Sequence, residues 1–213
     1  MKDIALVKTF LLLGLVITIL SIQAYGQITL GAGISGMKYY GVQNERPVAV
    51  GINANLGIEL SAKSRLVLEP TFFFPVTYSY NQQFNVNNIP SVNSNEQLKT
   101  IEASALYQFD LIGNNKGGGV LYLAAGPTIM IYNANVTRDN VSNASSYNYN
   151  GNFRDYLFDA RAGFEIPFLL LLKLYAEIEV NPKIATDFKS NNVSYQPNTG
   201  SLMAATIGVR IHL

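Results

Sequence analysis

Charged side chains at even spacings are the residues of this chain that could do chemistry. Asp155, Asp159, Arg161 and Glu165 follow one another at intervals of four, two and four residues. Residues separated by an even number project from the same face of a β-strand, so these groups would lie together. Charges placed in this way can form ion pairs, hold protons or bind cations. The charged residues that lie opposite the apolar face of the predicted strands would together form a charge network made of Glu59, Arg65, Glu69, Glu102, Asp110, Asp155, Asp159, Arg161, Glu165, Lys173, Glu177, Glu179 and Arg210.

The predicted network has an excess of acids, with nine carboxyl groups and four basic groups. A buried charge without a partner is very costly, so groups enclosed by protein should pair. The surplus acids would lie in water near the strand ends, bind cations or hold protons. We interpret the network as a polar filling with a structural role. A narrow path for ions or protons is the alternative.

Residues typical of enzyme active sites are scarce. Histidine is the usual general acid or base at neutral pH, and the only one here is His212, next to the C-terminal residue. The Gly-rich segment 113–119 lies between two predicted strands rather than before a helix, which indicates a turn and not a phosphate-binding loop. Cysteine is absent, which excludes disulfides and thiolate metal sites. We predict no enzyme, no catalytic or metal-binding residues and no cofactor.

The charged residues lie on segments that alternate with a period of two. In Val48–Leu60 every even position is apolar and every odd position is small or polar. Such alternation is typical of a β-strand with two different faces. With seven further segments it predicts eight strands, at Ile28–Lys38, Val48–Leu60, Arg65–Tyr78, Leu98–Leu111, Val120–Tyr132, Phe153–Phe168, Leu171–Pro182 and Leu202–Leu213.

The first 26 residues have the pattern of a secretory signal. Lys2 and Lys8 accompany an apolar run at 10–20, and the small residues Ala24 and Gly26 precede Gln27. This pattern predicts a cleaved signal peptide at 1–26 and a single domain at 27–213. The formal net charge of +1 gives no case for a nucleic-acid partner.

The apolar face of the predicted strands carries no Asp or Glu, and its basic residues, Lys38, Lys99 and Arg154, are each first or second from a strand end. Small polar residues dominate the other face, which suits the narrow interior of an eight-stranded barrel. Short connections alternate with long ones, as between the periplasmic turns and extracellular loops of membrane barrels. We predict an all-β fold, an eight-stranded antiparallel up-and-down transmembrane β-barrel with both termini in the periplasm. A soluble barrel or sandwich is the alternative.

Aromatic residues of the apolar face concentrate near the strand ends. Such clustering predicts lipid-facing aromatic girdles at the two membrane interfaces. The girdle near the long connections would contain Phe72, Phe74, Tyr78 and Phe158, and the girdle near the short ones Tyr107, Phe109, Phe164 and Phe168.

The long connections 79–97, 133–152 and 183–201 are rich in Asn, Ser and Tyr. These residues are common in adaptable binding loops, so a protein partner or surface ligand is one hypothesis. Solvated loops that bind nothing are the other.

With its signal segment, eight strands, alternating connections and final strand Ala205–Leu213, the chain resembles the outer-membrane β-barrel proteins of the Bacteroidota, the PorT-like group, related in architecture to the small OmpA/OmpX-type barrels. The resemblance implies a place in the outer membrane, contact with its lipid, insertion by the barrel-assembly machinery and an accessory role in protein secretion or envelope biogenesis. Such barrels usually end in an aromatic residue, whereas this chain ends in Leu213. Lipid-modifying enzymes on small barrels use histidine near the outer rim. His212 would instead be an interfacial polar residue at the periplasmic rim, so this activity is not expected.

Overall fold

The computed structural model describes residues 27–40, 47–82, 92–114, 117–140, 145–169, 171–189 and 201–213. Within this part of the chain no helix is long and apolar enough to cross a membrane. The predicted signal peptide lies outside the described residues. The regular structure consists of antiparallel strands: β1 (Ile28–Tyr40), β2 (Ala49–Ser61), β3 (Ser64–Gln82), β4 (Val92–Asn114), β5 (Gly117–Asn140), β6 (Ser145–Pro167), β7 (Leu172–Asn181), β8 (Lys183–Lys189) and β9 (Ser201–His212).

The sheet closes on itself. From β1 to β7 each strand pairs with the next along the chain, β9 pairs with β7 and with β1, and β8 pairs with β6. β7 and β8 both pair with β6 and are separated by Pro182, which has no N–H to donate to the sheet. They form one interrupted strand, held at the break by the Phe158 N–H, which donates to the Pro182 carbonyl at 3.1 Å. The barrel therefore has eight strands, and the predicted eight-stranded antiparallel fold is confirmed.

The two ends of the barrel differ. At the end that contains residues 27 and 213, which we call the terminal end, tight turns join β2 to β3 and β6 to β7. The Leu213 N–H donates to the Ile28 carbonyl there at 2.9 Å, which joins the last residue to the first strand. The opposite end, which we call the loop end, carries the connections between β1 and β2, β3 and β4, β5 and β6, and β8 and β9.

Several strands are longer than predicted. β5 continues to Asn140 and β6 begins at Ser145, so most of the predicted connection 133–152 is strand. β4 begins at Val92, and β8 lies within the predicted connection 183–201. These predictions were wrong because they depended on apolar alternation. Backbone pairing in an antiparallel ladder uses main-chain N–H and C=O groups, so it does not require an apolar face.

In β2 the apolar and polar residues lie on opposite faces, as predicted. Val50 and Ile52 lie on the outer surface, whereas Asn53, Asn55 and Glu59 are buried inside the barrel. The outer surface is therefore apolar and the interior polar along this strand, the reverse of a water-soluble domain.

A bulge in β3 interrupts this regularity. Phe73 pairs with Thr100 but Val76 pairs with Leu98, so β3 contains one extra residue. Phe74 and Pro75 are both exposed, and Val76 packs against buried residues of the interior. The alternation of the predicted strand Arg65–Tyr78 places Val76 on the outer face with Phe72 and Phe74. This prediction was wrong, because one inserted residue reverses the phase of those that follow. The side chain of Tyr78 lies outside the described part of the structure.

The interior is not polar throughout. Toward the loop end it is filled by a cluster of buried, mostly apolar side chains, which we call the apolar plug. Tyr132 and Phe153 stack at its centre with ring centroids 4.4 Å apart and ring planes 12° from parallel. The sequence predicted a polar filling, and the apolar plug corrects that prediction. The members of the plug are Met37, Tyr39, Ala49, Phe73, Leu98, Met130, Tyr132, Ala134, Phe153, Leu157, Leu202 and Ala204.

Candidate functional site

Every residue of the predicted charge network is buried inside the barrel. The thirteen side chains come from β2, β3, β4, β6, β7 and β9. Most of them gather around two residues of β6, Arg161 and Glu165.

Arg161 is surrounded by acids. Its guanidinium nitrogens lie within ion-pairing distance of five carboxylates: Glu69 Oε1 at 2.6 Å, Glu102 Oε1 at 3.6 Å, Asp159 Oδ2 at 2.7 Å, Glu177 Oε1 at 2.9 Å and Glu179 Oε2 at 2.9 Å. These six residues, which we call the Arg161 centre, come from β3, β4, β6 and β7. One buried cation thus joins strands from opposite sides of the barrel.

Neutral groups complete the Arg161 centre. The Tyr122 hydroxyl donates to Glu177 Oε2 at 2.7 Å, and the Ser104 hydroxyl donates to Glu102 Oε1 at 3.1 Å. The Asn55 amide donates to Glu69 Oε2 at 3.4 Å. Buried carboxylates are costly unless their oxygens are bonded, and these donors reduce that cost.

Glu165 has the opposite arrangement, one acid among basic groups. Its Oε1 contacts the guanidinium groups of Arg65 and Arg210, and its Oε2 lies 3.9 Å from Lys173 Nζ and 3.6 Å from His212 Nε2. We call these five residues the Glu165 centre. Arg210 also reaches Glu177 Oε2 at 3.5 Å, so it connects this centre to the Arg161 centre.

Three acids of the network belong to neither centre. Glu59 Oε1 lies 3.6 Å from Nδ1 of His212. Asp110 Oδ1 accepts from the Gln108 amide at 3.1 Å, and Asp155 Oδ1 accepts from the Thr186 hydroxyl at 2.6 Å. All three side chains are buried.

The Arg161 centre contains the donor set of a possible metal site. Ligand atoms of Glu102, Asp159 and Glu179 lie within 4.8 Å of one another. The Arg161 guanidinium, however, is at ion-pairing distance from each of the three. The guanidinium is therefore the cation that these carboxylates surround.

The predicted network left out interior side chains that include Tyr122, Tyr175, Glu96 and His212. Tyr175 packs flat on Arg210, whose Cζ lies 4.0 Å from the ring centroid, and Tyr122 bonds to Glu177. Both tyrosines lie opposite the apolar residues of their strands, as the charged residues do, and this position could have identified them. Glu96 is buried and precedes Glu102 by an even spacing, but the predicted strand began two residues too late to include it. His212, which was assigned to the rim, is 15% exposed and also reaches Glu165.

Aromatic side chains of the predicted girdles lie on the outer surface wherever the structure describes them. Those nearest the terminal end flank the tight turns, since Phe109 pairs with Ser64 and Phe168 bonds to Leu172 through its N–H. Tyr156, which was not predicted, is also exposed. The exposed members of the predicted set are Phe72, Phe74, Tyr107, Phe109, Phe158, Phe164 and Phe168.

Comparison with known proteins identifies the fold. No protein-family model and no curated protein matches the chain. Among solved structures it is similar to the outer membrane protein OprG from Pseudomonas aeruginosa, with a TM-score of 0.53 and 9% identity, over 88% of this chain and 95% of that one. A major outer membrane protein from Thermus thermophilus matches with a TM-score of 0.49 and 9% identity, over 87% and 99% of the two chains. Ail, the attachment invasion locus protein of Yersinia pestis, matches with a TM-score of 0.47 and 12% identity, over 88% and 97%.

The similarity to OprG, at 9% identity, concerns the fold alone. The fold is the closed eight-stranded β-barrel found in outer-membrane proteins.

Proposed function

We propose that this protein is an integral outer-membrane β-barrel with a closed interior, whose role is structural or is to present its loop end to a partner. The observation that carries the proposal is the reversed distribution of polarity. Ile34, Ile178 and Ile207 are 57%, 66% and 64% exposed on the outer surface, whereas the charged residues of both centres are buried. Soluble monomers rarely expose large continuous apolar surfaces, and hydrocarbon is the solvent that suits this one.

The filled interior favours a structural or interaction role over conduction. Ions moving along the barrel axis would meet the paired charges of the two centres and then the apolar plug. Transfer of an ion into such an apolar, close-packed region is very costly. The contacts among the described residues therefore support a closed barrel, and the narrow channel is the weaker hypothesis.

The position of the chain ends supports an orientation. Tight turns lie at the terminal end, and barrels of this class have short turns in the periplasm and longer loops outside. We infer that both termini are periplasmic and that the loop end faces the exterior. The expected contacts are with outer-membrane lipid, with the barrel-assembly machinery during insertion, and with a protein or surface ligand at the loop end.

Two further predictions about function depend on the sequence alone. The accessory role in secretion or envelope biogenesis, which the PorT-like resemblance implies, stays a prediction, and co-purification from native membranes would test it. The absence of enzymatic activity also stays a prediction, based on the single histidine.

Cysteine labelling in intact cells tests the proposed location and orientation. The chain has no cysteine, so Lys63→Cys in the turn between β2 and β3 and Asn135→Cys toward the loop end each introduce a single reporter. A membrane-impermeant maleimide should label Asn135→Cys in intact cells and Lys63→Cys only after permeabilisation. The reverse pattern would overturn the orientation, and recovery of the protein outside the outer-membrane fraction would overturn the location.

A further inference from the structure

His212 lies between two carboxylates that come from different sides of the barrel. Its Nδ1 is 3.6 Å from Glu59 Oε1 and its Nε2 is 3.6 Å from Glu165 Oε2. His212 belongs to β9, which pairs with β1 and β7, whereas Glu59 is on β2 and Glu165 is on β6. The ring therefore reaches beyond both neighbouring strands, next to the pairing that closes the barrel.

The protonation of the ring decides whether both contacts are favourable. At 3.6 Å the two contacts are ion-pair distances rather than hydrogen bonds, and neither ring nitrogen nor either facing oxygen has a hydrogen-bond partner. A neutral imidazole has one N–H and one lone pair, so it would turn a lone pair toward one carboxylate. An imidazolium has two N–H groups and can attract both. The geometry thus matches the charged ring.

The charges around His212 have opposing effects on the protonation of its ring. Lys173 on β7 and the two arginines, which also contact Glu165, oppose a further positive charge. Glu59 and Glu165 favour it. The described residue of β1 that pairs with His212 is Thr29, which does not titrate.

Acidic side chains outnumber basic ones in this part of the interior. The two centres, Glu59 and Asp110 together contain eight acids, Glu59, Glu69, Glu102, Asp110, Asp159, Glu165, Glu177 and Glu179, against four bases, Arg65, Arg161, Lys173 and Arg210. A proton on His212 reduces this excess of acid.

We propose that His212 is an imidazolium clasp that holds the C-terminal strand to β2 and β6 and is released when the ring loses its proton. The side chain is 15% exposed at the terminal end, so protons can exchange with the solvent. The clasp makes closure of the barrel sensitive to pH. The clasp depends on the fold and on the position of His212, and it is independent of the proposed function.

The sign of the pH effect follows from the two states of the chain. In the folded barrel the charged ring gains two carboxylate partners, which the unfolded chain does not provide. The stabilisation is therefore present when the ring is charged and is lost as the pH rises and the ring becomes neutral. Removal of one charge-assisted contact should accelerate unfolding about tenfold.

Nitrogen NMR tests the charge state directly, because a single histidine gives a single pair of ring signals. The full chain, refolded in detergent micelles with ¹⁵N-labelled histidine, should show two imidazolium-type nitrogens at pH 7, where a free histidine with its ordinary pKa of about 6.5 is mostly neutral. Glu59→Gln should move the titration to lower pH. A neutral ring at pH 7, with one nitrogen bearing a lone pair, would overturn the proposal.

Unfolding rates test the consequence. The rate in urea should rise about tenfold between pH 6 and pH 9 in the wild type, relative to His212→Gln, which cannot carry the charge. His212→Lys, which keeps a positive charge over this range, should match His212→Gln in its flat pH dependence. Equal pH dependence in the wild type and His212→Gln would overturn the clasp. If these variants do not fold, the NMR titration of the wild type decides.

Discussion

Arg161 Nη1 and Glu69 Oε1 form an ion pair of 2.6 Å that crosses the barrel from β6 to β3. Two further strands, β4 and β5, separate these partners along the sheet. The pair therefore depends on closure of the barrel and cannot form in an open sheet. Arg161 extends the same connection to β4 and β7 through its other carboxylates.

Arg161→Met should strongly destabilise the folded barrel. The substitution removes the cation from five buried carboxylates, and loss of one partner from a buried ion pair costs about 3–5 kcal/mol. Urea unfolding in lipid vesicles measures the change. Arg154→Met on the same strand is the matched control, because Arg154 is exposed on the outer surface, and it should change the free energy of unfolding by less than about 0.5 kcal/mol. Equal effects of the two substitutions would contradict the role assigned to the Arg161 centre.

Phe153→Ala should cost about 3–5 kcal/mol, because it creates a cavity in the apolar plug beside Tyr132. The comparison is Phe158→Ala, a substitution of the same type on the same strand at an outward position. Lipid can fill the space left by Phe158, so its loss should be clearly smaller. The same unfolding measurement in vesicles gives both values. A larger loss for Phe158→Ala would mean that the plug contributes little.

Gly208→Ala should weaken the pairing between β9 and β1. A Cβ at Gly208 would lie 2.3 Å from the Ala32 carbonyl oxygen and 2.5 Å from the Tyr175 ring, with backbone on one side that cannot move away. Overpacking of this kind costs about 1–3 kcal/mol. At Gly36, on β1, the nearest atom would be 3.7 Å away, so Gly36→Ala should fold normally. Heat-dependent mobility in SDS gels would show the difference, and equal midpoints would contradict it.

The refolded wild type should show no stable unitary conductance in planar bilayers, because paired charges and the apolar plug fill the interior. Glu102→Gln provides the critical comparison, since Glu102 belongs to the Arg161 centre. A stable conductance in the wild type that disappears in Glu102→Gln would identify an ion path through the charge network. That result would replace the closed barrel with a channel.

Alternation by itself determined that the segments are strands and which side chains share a face. In Val48–Leu60 this was enough to separate Val50 and Ile52 from Asn53, because the period of two is a property of the local backbone. The charged residues were assigned to the inner face for the same reason, and the structure buries all thirteen of them.

Features that depend on a neighbouring strand could not be obtained in this way. The bulge before Val76 reverses a local phase, and the extension of β5 to Asn140 uses backbone pairing that polar residues do not reveal. Pro182 interrupts a strand that nevertheless continues, since β6 still pairs on both sides of it.

Only the tertiary structure decided which interior residues meet. Arg161 and Glu69 lie 92 positions apart, and His212 and Glu59 belong to the last strand and the second. Sequence periodicity states the direction of each side chain but not its height along the barrel axis. Closure, register and strand tilt together set that height, and through it they bring five acids to one arginine and place the apolar plug beside them.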